Sequence, residues 1–211
     1  MKIVIFGASG KTGTLLTKQA LSKGHQVTAY LRREGALAQN HPNLRIVIGN
    51  LDNKGKLKEA LQEADVVFST LGGGSLTKHA PDIIAGINNI VTIMEQPGTK
   101  RFIYLSSIGA GESRNLMGSI ARFLIADVML RVPLADHSAN EQRIMKSKLQ
   151  WTLVRPGGLT DGSWTGILKH GSEKILLKGS PKISRANVAS FMLEQLDTKA
   201  YINKGVWLFE Q

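Results

Sequence analysis

The sequence predicts an α/β fold with a doubly wound parallel sheet. Two observations carry this prediction. Short runs of β-branched and aromatic residues alternate with helical patterns through the first two-thirds of the chain, and the first run leads straight into a glycine-rich turn. Strands and helices that alternate at this spacing give parallel strands joined by right-handed crossovers. The 211 residues suit a single domain, with a sheet core over residues 1–155 and a small, loop-rich C-terminal lobe over residues 156–211.

Each strand is predicted from a short apolar run with turn residues at its ends. In chain order these runs cover residues 2–6, 26–31, 44–48, 65–70, 101–105, 151–155 and 206–209. Helical periodicity is found just after the glycine turn and at residues 57–61, 83–94 and 186–196. Beyond Pro156, repeated glycines break the chain into short pieces. We expect this lobe to fold against the carboxyl edge of the sheet, where open α/β sheets bind ligands.

Composition narrows the range of partners. Apolar residues make up 42% and charged residues 20% of the chain, as in soluble globular proteins, and every apolar run is shorter than the roughly 18 residues of a membrane span. The absence of cysteine excludes disulfides, thiolate metal sites and thiol nucleophiles. We therefore expect a cytoplasmic protein with no membrane partner and no bound metal.

The chain is strongly basic, because 27 Lys and Arg residues against 16 Asp and Glu residues give a formal net charge of +11. The positive charges are spread in ones and twos, and no dense basic run is interleaved with aromatic residues. A nucleic-acid partner is therefore not expected. The excess positive charge favours capture of an anionic cofactor and substrate. The alternative is that these side chains only form a solvated surface.

The opening segment MKIVIFGASGKTG joins the first strand to the first helix through a turn with glycine at every third position. The first glycine lets the chain turn tightly, the second lets backbone N–H groups approach a pyrophosphate, and the third lets the helix pack on the sheet. Unpaired N–H groups and the positive end of the helix dipole favour an anion there. A glycine-rich turn without a ligand is the alternative. The predicted cofactor contacts in this turn are Gly7, Ser9, Gly10, Lys11, Thr12 and Gly13.

The residues that follow the second strand indicate which of two dinucleotides the site binds. An acidic residue there binds the ribose hydroxyl of NAD, whereas arginine accepts the 2′-phosphate of NADP. This chain has Arg32 and Arg33, whose guanidinium groups suit phosphate, and Ser9 adds a hydroxyl. We therefore expect NADP(H) to be preferred, with NAD(H) possible if Glu34 is the ribose ligand and the arginines are solvated.

Loops after the third and fourth strands complete the predicted cofactor site. Asn50 and Leu51 are expected to border the adenine, by hydrogen bonding and by packing respectively. Leu71 and Gly72 are expected to let the cofactor backbone pass. An ordinary loop role remains the alternative for each of these residues.

Six segments carry a resemblance to a known family: IFGASGKTG, VTAYLRR, LGGG, FIYLSSIGAG, DHSANEQRIMKSKLQ and WTLVRPGGLTDG. The chain resembles the atypical short-chain dehydrogenases with an NAD(P)-binding Rossmann fold, especially the branch that holds NmrA-like proteins, NADH-flavin-reductase-like proteins and the beta-type biliverdin (flavin) reductase. The resemblance covers most of the chain, and the last segment is the most specific. It implies hydride transfer to a flavin, quinone, tetrapyrrole or similar planar acceptor, with residues 156–211 as the substrate lobe.

The chain departs from the ordinary short-chain dehydrogenases at their catalytic pair. Those enzymes use Tyr-x-x-x-Lys, but none of Tyr30, Tyr104 and Tyr201 is followed four residues later by lysine. By resemblance, Ser107 takes the place of the catalytic serine, with Ser106 beside it as a cofactor contact; a serine that only ends the strand is the alternative. Pro156, Gly157 and Leu159 lie where the chain passes from the sheet into the substrate lobe, and a backbone N–H there is expected to contact the nicotinamide.

His137 matches a helical histidine of the beta-type reductase, whereas the second histidine of that enzyme aligns with Gly158, which puts tetrapyrrole substrates in doubt. His137 and Glu141 are four residues apart on one helix face, so we expect Glu141 to orient the imidazole as a proton donor near its ordinary pKa. The alternative is an exposed helix pair.

Two functions remain open from the sequence. The first is an NADPH-dependent reductase, because hydride transfer between stacked rings asks little of protein acids. The second is a catalytically idle NADP(H) sensor of the NmrA type that acts through a protein partner, which the absent tyrosine–lysine pair favours. In either case we expect a monomer or a weak dimer.

Overall fold

The computed structural model describes residues 1–73, 75–96, 100–177 and 179–210. Within these ranges, eight strands form one sheet and two short strands form a second. The strands are β1 Lys2–Phe6, β2 Gln26–Leu31, β3 Leu44–Ile48, β4 Val66–Ser69, β5 Arg101–Leu105, β6 Gln150–Pro156, β7 Gly158–Thr160, β8 Leu168–Gly171, β9 Lys182–Ser184 and β10 Lys204–Glu210. The large sheet has the order β3-β2-β1-β4-β5-β6-β10-β8, and β7 pairs with β9.

Helices cover both faces of the large sheet. The α-helices are α1 Lys11–Ser22, α2 Lys54–Leu61, α3 Pro81–Met94, α4 Ser119–Ala121, α5 Arg131–Met145 and α6 Arg185–Glu194, with a 3-10 helix at Gly111–Leu116 and a π-helix at Arg122–Met129. One core lies under α1 and α6, and a second lies under α2, α3 and α5. Because strand side chains alternate between the faces, Ile3 and Ile5 enter the first core, whereas Val4 and Phe6 enter the second. The predicted doubly wound α/β fold is confirmed.

The strand order reverses between β1 and β4, which both run parallel to their neighbours. In open α/β sheets, ligands bind outside the carboxyl ends of the strands at this switch point. The loops that follow β1, β4, β5 and β6 therefore meet at one edge, with those after β2 and β3 beside them.

The C-terminal third returns to the sheet. Strand β10 pairs in parallel with β6, β8 pairs antiparallel with β10, and α6 packs against α1. The sequence analysis predicted β10 and α6 within two residues at each end but missed β7, β8 and β9, which are only three or four residues long. In the described ranges no helix is long and apolar enough to cross a membrane.

Candidate cofactor and acceptor site

The glycine turn after β1 owes its shape to close contacts with the end of β4. Gly7 has a positive φ of +80°, and a Cβ at this position would lie 2.8 Å from Thr70 Oγ1. A Cβ on Gly13 would overlap the carbonyl oxygen of Gly7. Gly10 differs, because its added Cβ would meet only the Gly7 carbonyl oxygen, at 3.3 Å. Gly7 and Gly13 therefore build the turn, whereas Gly10 leaves open space above it.

The sequence analysis did not single out Thr70, which joins the two strand ends. Its backbone N–H donates to the carbonyl oxygen of Phe6 at 2.9 Å, and its hydroxyl donates to that of Gly7 at 3.1 Å. Next to it, Leu71 is half-buried and Gly72 is exposed. Gly74, the last residue of the LGGG motif, lies outside the described residues.

The N-terminus of α1 is suited to an anion. Gly10 is its N-cap, no side chain caps it, and its first turn has no acidic residue. The first N–H groups of a helix have no helical acceptor. Thr12 is buried, while Ser9 and Lys11 are exposed. The Lys11 ammonium lies 2.9 Å from Asp161, and its hydrogen bond lowers the pKa of that carboxyl.

The two arginines lie beside this turn. Residue Phe6 of β1 is paired with Tyr30 of β2, so Arg32 follows its strand at the level where the glycine turn follows β1. Arg32, Arg33 and Glu34 are all exposed, and none forms an ion pair with the residues that the structure describes. The guanidinium groups are thus available to a phosphate.

The loop after β3 is fixed from both sides. The Tyr30 hydroxyl donates to the Asn50 carbonyl oxygen at 2.8 Å, and Asn89 Nδ2 donates to the Leu51 carbonyl oxygen at 3.0 Å. The Leu51 side chain fits against α3 because position 86 is glycine, where a Cβ would come within 2.6 Å of Leu51 Cβ. Asn50 is exposed and Leu51 is half-buried at this edge.

Two serines follow β5. Ser106 is buried, and its hydroxyl has no hydrogen-bond partner among the described residues. Ser107 is half-buried, and its hydroxyl donates to the carbonyl oxygen of Ile108 at 3.1 Å. An unpartnered buried hydroxyl costs about 1–3 kcal/mol, so Ser106 is the serine that gains most from a bound ligand.

His137 on α5 is held by Tyr104 of β5. The Tyr104 hydroxyl lies 2.9 Å from His137 Nδ1 and accepts a hydrogen bond from Asn140 Nδ2 at 3.0 Å. Tyr104 therefore contacts the Nδ1 side of the imidazole and leaves Nε2 on the opposite side of the ring. A Cβ at Gly72 would lie 3.8 Å from that Nε2. The ring therefore turns Nε2 towards the loop after β4.

Two expectations about this helix are wrong. Glu141 does not orient His137, because its carboxylate binds Arg155 of β6, at 2.8 Å from both Nε and Nη2. His137 does not stay near its ordinary pKa either, since burial lowers its pKa to about 4. At neutral pH the imidazole is an uncharged hydrogen-bond donor and not a cationic acid.

Arg155 and Glu141 form a buried ion pair, since both side chains are less than 5% exposed. Glu112 adds a second carboxylate to Arg155 Nη1 at 2.9 Å from a largely exposed position. A cavity of about 480 Å³ lies beside this cluster and is lined by Trp207 among others. None of the residues predicted to form the site lines this cavity.

A third contact with α5 fixes the loop that follows β4. Asp136 is buried, and its carboxylate accepts hydrogen bonds from His79 Nδ1 at 2.5 Å and from the Ala80 N–H at 2.8 Å. The sequence analysis missed this pair, since the two side chains are 57 residues apart. It missed the link between Tyr104 and His137 for the same reason.

The end of β6 leads directly into β7. Pro156 is buried, and the Gly157 N–H donates to the carbonyl oxygen of Leu208 at 3.0 Å. Glycine is needed at position 157 because a Cβ there would overlap the Pro181 carbonyl oxygen. Leu159 lies in β7, paired with β9, and its side chain is 38% exposed.

The fold and this edge define a dinucleotide-binding α/β protein. Residues 7–199 match the model of a protein family described as NAD(P)H-binding, and the chain belongs to this family. This confirms the resemblance to NAD(P)-binding Rossmann proteins.

Three known proteins illustrate the relationship. The chain is 30% identical to an uncharacterized chloroplastic protein of Arabidopsis thaliana, over 92% of this chain and 71% of that protein. Its fold matches that of ChuY, an anaerobillin reductase from Escherichia coli O157:H7, with a TM-score of 0.82, 22% identity and coverage of 100% and 97% of the two chains. It also matches a short-chain dehydrogenase/reductase from Veillonella parvula in complex with NADP, with a TM-score of 0.83, 20% identity and coverage of 99% and 94%.

Proposed function

We propose that this protein is an NADPH-dependent reductase that transfers hydride to a flavin, quinone or similar planar acceptor. The observation that carries the proposal is the pair of neutral polar groups at the carboxyl edge of β5. The Ser106 hydroxyl is buried without a hydrogen-bond partner among the described residues, and His137 Nε2 faces the loop after β4. Buried polar groups without partners are rare, and they mark places where a ligand completes the hydrogen bonds.

The cofactor half of the edge fits a dinucleotide phosphate. Gly10 leaves the space above the turn open, and the uncapped first turn of α1 offers N–H groups to the pyrophosphate. Arg32 and Arg33 are exposed and free of ion pairs with described residues, which suits a 2′-phosphate. The NADP found in the Veillonella parvula structure supports this choice of cofactor.

When bound, NADPH supplies the hydride from its nicotinamide ring. The residues of the chain then position the acceptor and stabilise charge on it. A neutral imidazole that donates from Nε2 stabilises negative charge developing on an acceptor oxygen, as fixed donors do in an oxyanion hole. Tyr104 positions His137, since its hydroxyl lies 2.9 Å from Nδ1 of the ring. Ser106 and Ser107 supply hydroxyl groups just after β5, the strand that carries Tyr104.

The test is NADPH oxidation with a panel of FMN, riboflavin and quinones. Ser107→Ala and His137→Ala should each lower kcat by roughly ten- to a hundredfold, below the loss of an essential acid. Ser22→Ala, at an exposed position on α1, is the matched control and should leave kcat unchanged. NADPH deuterated on one face of the ring should give a kinetic isotope effect from that face alone.

A sensor without turnover is the second candidate, and one observation favours it. The chain lacks the Tyr-x-x-x-Lys pair, and the Tyr104 hydroxyl is buried between His137 and Asn140, where burial raises its pKa. Saturable NADPH binding without oxidation by any acceptor in the panel would contradict the reductase proposal and support the sensor.

A further inference from the structure

The segment that joins the end of β5 to α5 exposes an unusual amount of apolar surface. Within residues 119–129, hereafter the apolar segment, five large side chains are 54–77% exposed. They are Ile120, Phe123, Leu124, Val128 and Met129. Ile120, Leu124 and Val128 are four residues apart, which places them on one side of the helix. A contiguous apolar patch on a protein surface marks an interaction site.

The apolar segment is anchored to the protein by its other side. Ala126 is buried in a small core with Ala110 and Leu134. The Leu130 N–H donates to the Ile125 carbonyl oxygen at 2.7 Å, and an ion pair joins Arg114 to Asp127. The exposed side chains are therefore presented on a fixed helix.

The apolar surface continues beyond this helix. Met117, just before it, forms a bridge with Leu177, so Leu176 lies next to the apolar segment. Leu176 is itself 70% exposed.

The positive charge near the apolar segment indicates which kind of surface covers it. Residues 114–131 contain three arginines and one aspartate, and Arg122 and Arg131 form no ion pair with described residues. The chain as a whole carries +11, so two copies repel each other and an anionic surface attracts the protein. Exposed apolar side chains on a helix flanked by arginine are typical of helices that lie in the interface of an anionic bilayer.

We propose that the apolar segment docks the protein on the surface of an anionic lipid bilayer. The apolar side chains enter the boundary between headgroups and acyl chains, and Arg122 and Arg131 pair with lipid phosphates. Such an attachment is peripheral and needs no membrane-spanning helix. It departs from the sequence expectation of a protein without a membrane partner.

The experiment is flotation of the full chain with vesicles of phosphatidylcholine alone or with 30% phosphatidylglycerol, at low and high salt. The wild type should bind the anionic vesicles at least about tenfold more tightly than the neutral ones, and salt should weaken this binding. The double variant Phe123→Ser/Leu124→Ser should lose at least about tenfold in binding. Ile167→Ser is the matched control, because Ile167 is 62% exposed and Phe123 is 61% exposed. It should bind like the wild type.

Two measurements keep the outcomes distinct. Circular dichroism and thermal unfolding should be the same for the double variant and the wild type, since the changed side chains are exposed. Equal flotation of the double variant and the wild type, or no flotation at all, would overturn the proposal. A dimer in light scattering that the double variant abolishes, without vesicle binding, would overturn it in favour of a second copy of the chain.

Discussion

The glycine turn after β1 and the polar cluster on α5 lie at the same edge of the sheet, but they are made from different parts of the chain. The turn depends on the backbone, since Gly7 and Gly13 are required where a Cβ would collide with Thr70 or with the turn itself. The α5 cluster depends on side-chain pairs, such as His137 with Tyr104 and Glu141 with Arg155. The first region is shaped by backbone contacts close in sequence, whereas the second depends on partners from distant parts of the chain.

The largest change in stability is expected in the α5 cluster. Glu141→Ala should lower the free energy of unfolding by about 3–5 kcal/mol, because it leaves the Arg155 charge buried beside a carboxylate that is mostly exposed. Urea unfolding followed by circular dichroism measures this change. Glu112→Ala is the matched control, and its cost should stay below about 1 kcal/mol since Glu112 is 63% exposed. Equal costs for the two variants would mean that Arg155 does not depend on the buried partner.

In the glycine turn after β1, Gly10→Val should weaken NADPH binding by at least about a hundredfold while the protein stays folded. The added side chain meets only the Gly7 carbonyl oxygen within the protein but fills the space above the turn. Fluorescence titration with NADPH, together with circular dichroism, checks both parts.

Two further glycine variants, one outside this turn and one within it, serve as controls. Gly118→Val, where an added Cβ meets nothing within 4 Å, should bind NADPH normally. Gly13→Ala should instead lower stability, because its Cβ overlaps the turn. Retained NADPH affinity in a folded Gly10→Val protein would move the phosphate site away from this turn.

A smaller effect tests the choice of cofactor. Arg32→Ala should cost about 1.5–3 kcal/mol in NADPH affinity, more than tenfold, and should leave NADH affinity nearly unchanged. Lys23→Ala, at an exposed position at the far end of α1, serves as the control. Should the wild type bind NADH as tightly as NADPH, Glu34 becomes the ribose ligand and the preference for NADP(H) is wrong.

The pH dependence of stability tests the environment of His137. Its folded pKa of about 4 lies below its unfolded value of 6.5, so the unfolded chain binds the proton first as the pH falls. The contribution of the neutral ring to the free energy of unfolding is therefore fully present above about pH 6.5. It is lost as the pH falls from 6.5 towards about 4.

Between about pH 7 and pH 5, the wild type should therefore lose roughly 2 kcal/mol more than His137→Gln. Urea unfolding at several pH values measures the difference, and other titrating groups cancel in the comparison. Parallel pH profiles for the two proteins would show that the His137 ring is not buried from water in the folded protein.

The seven strands other than β7, β8 and β9, the doubly wound fold class and the glycine turn were predictable because each has a signal in residues close together in the sequence. A β-branched run predicts its strand from local propensity, and glycine at positions 7, 10 and 13 predicts a turn that needs no distant partner. The position of Arg32 and Arg33 beside this turn follows from the pairing of β1 with β2, which the predicted sheet already implies.

The α5 cluster was decided by tertiary structure. From the sequence, Glu141 was the nearest partner for His137, one helical turn away. In the fold, β6 brings the buried Arg155 to Glu141, and β5 brings Tyr104 to His137 from 33 residues away. A buried charge pairs with the opposite charge that is also removed from water, whatever its distance along the chain. Helical spacing gives the face on which a side chain lies, but the packed neighbours determine which partner it binds and whether it carries a proton.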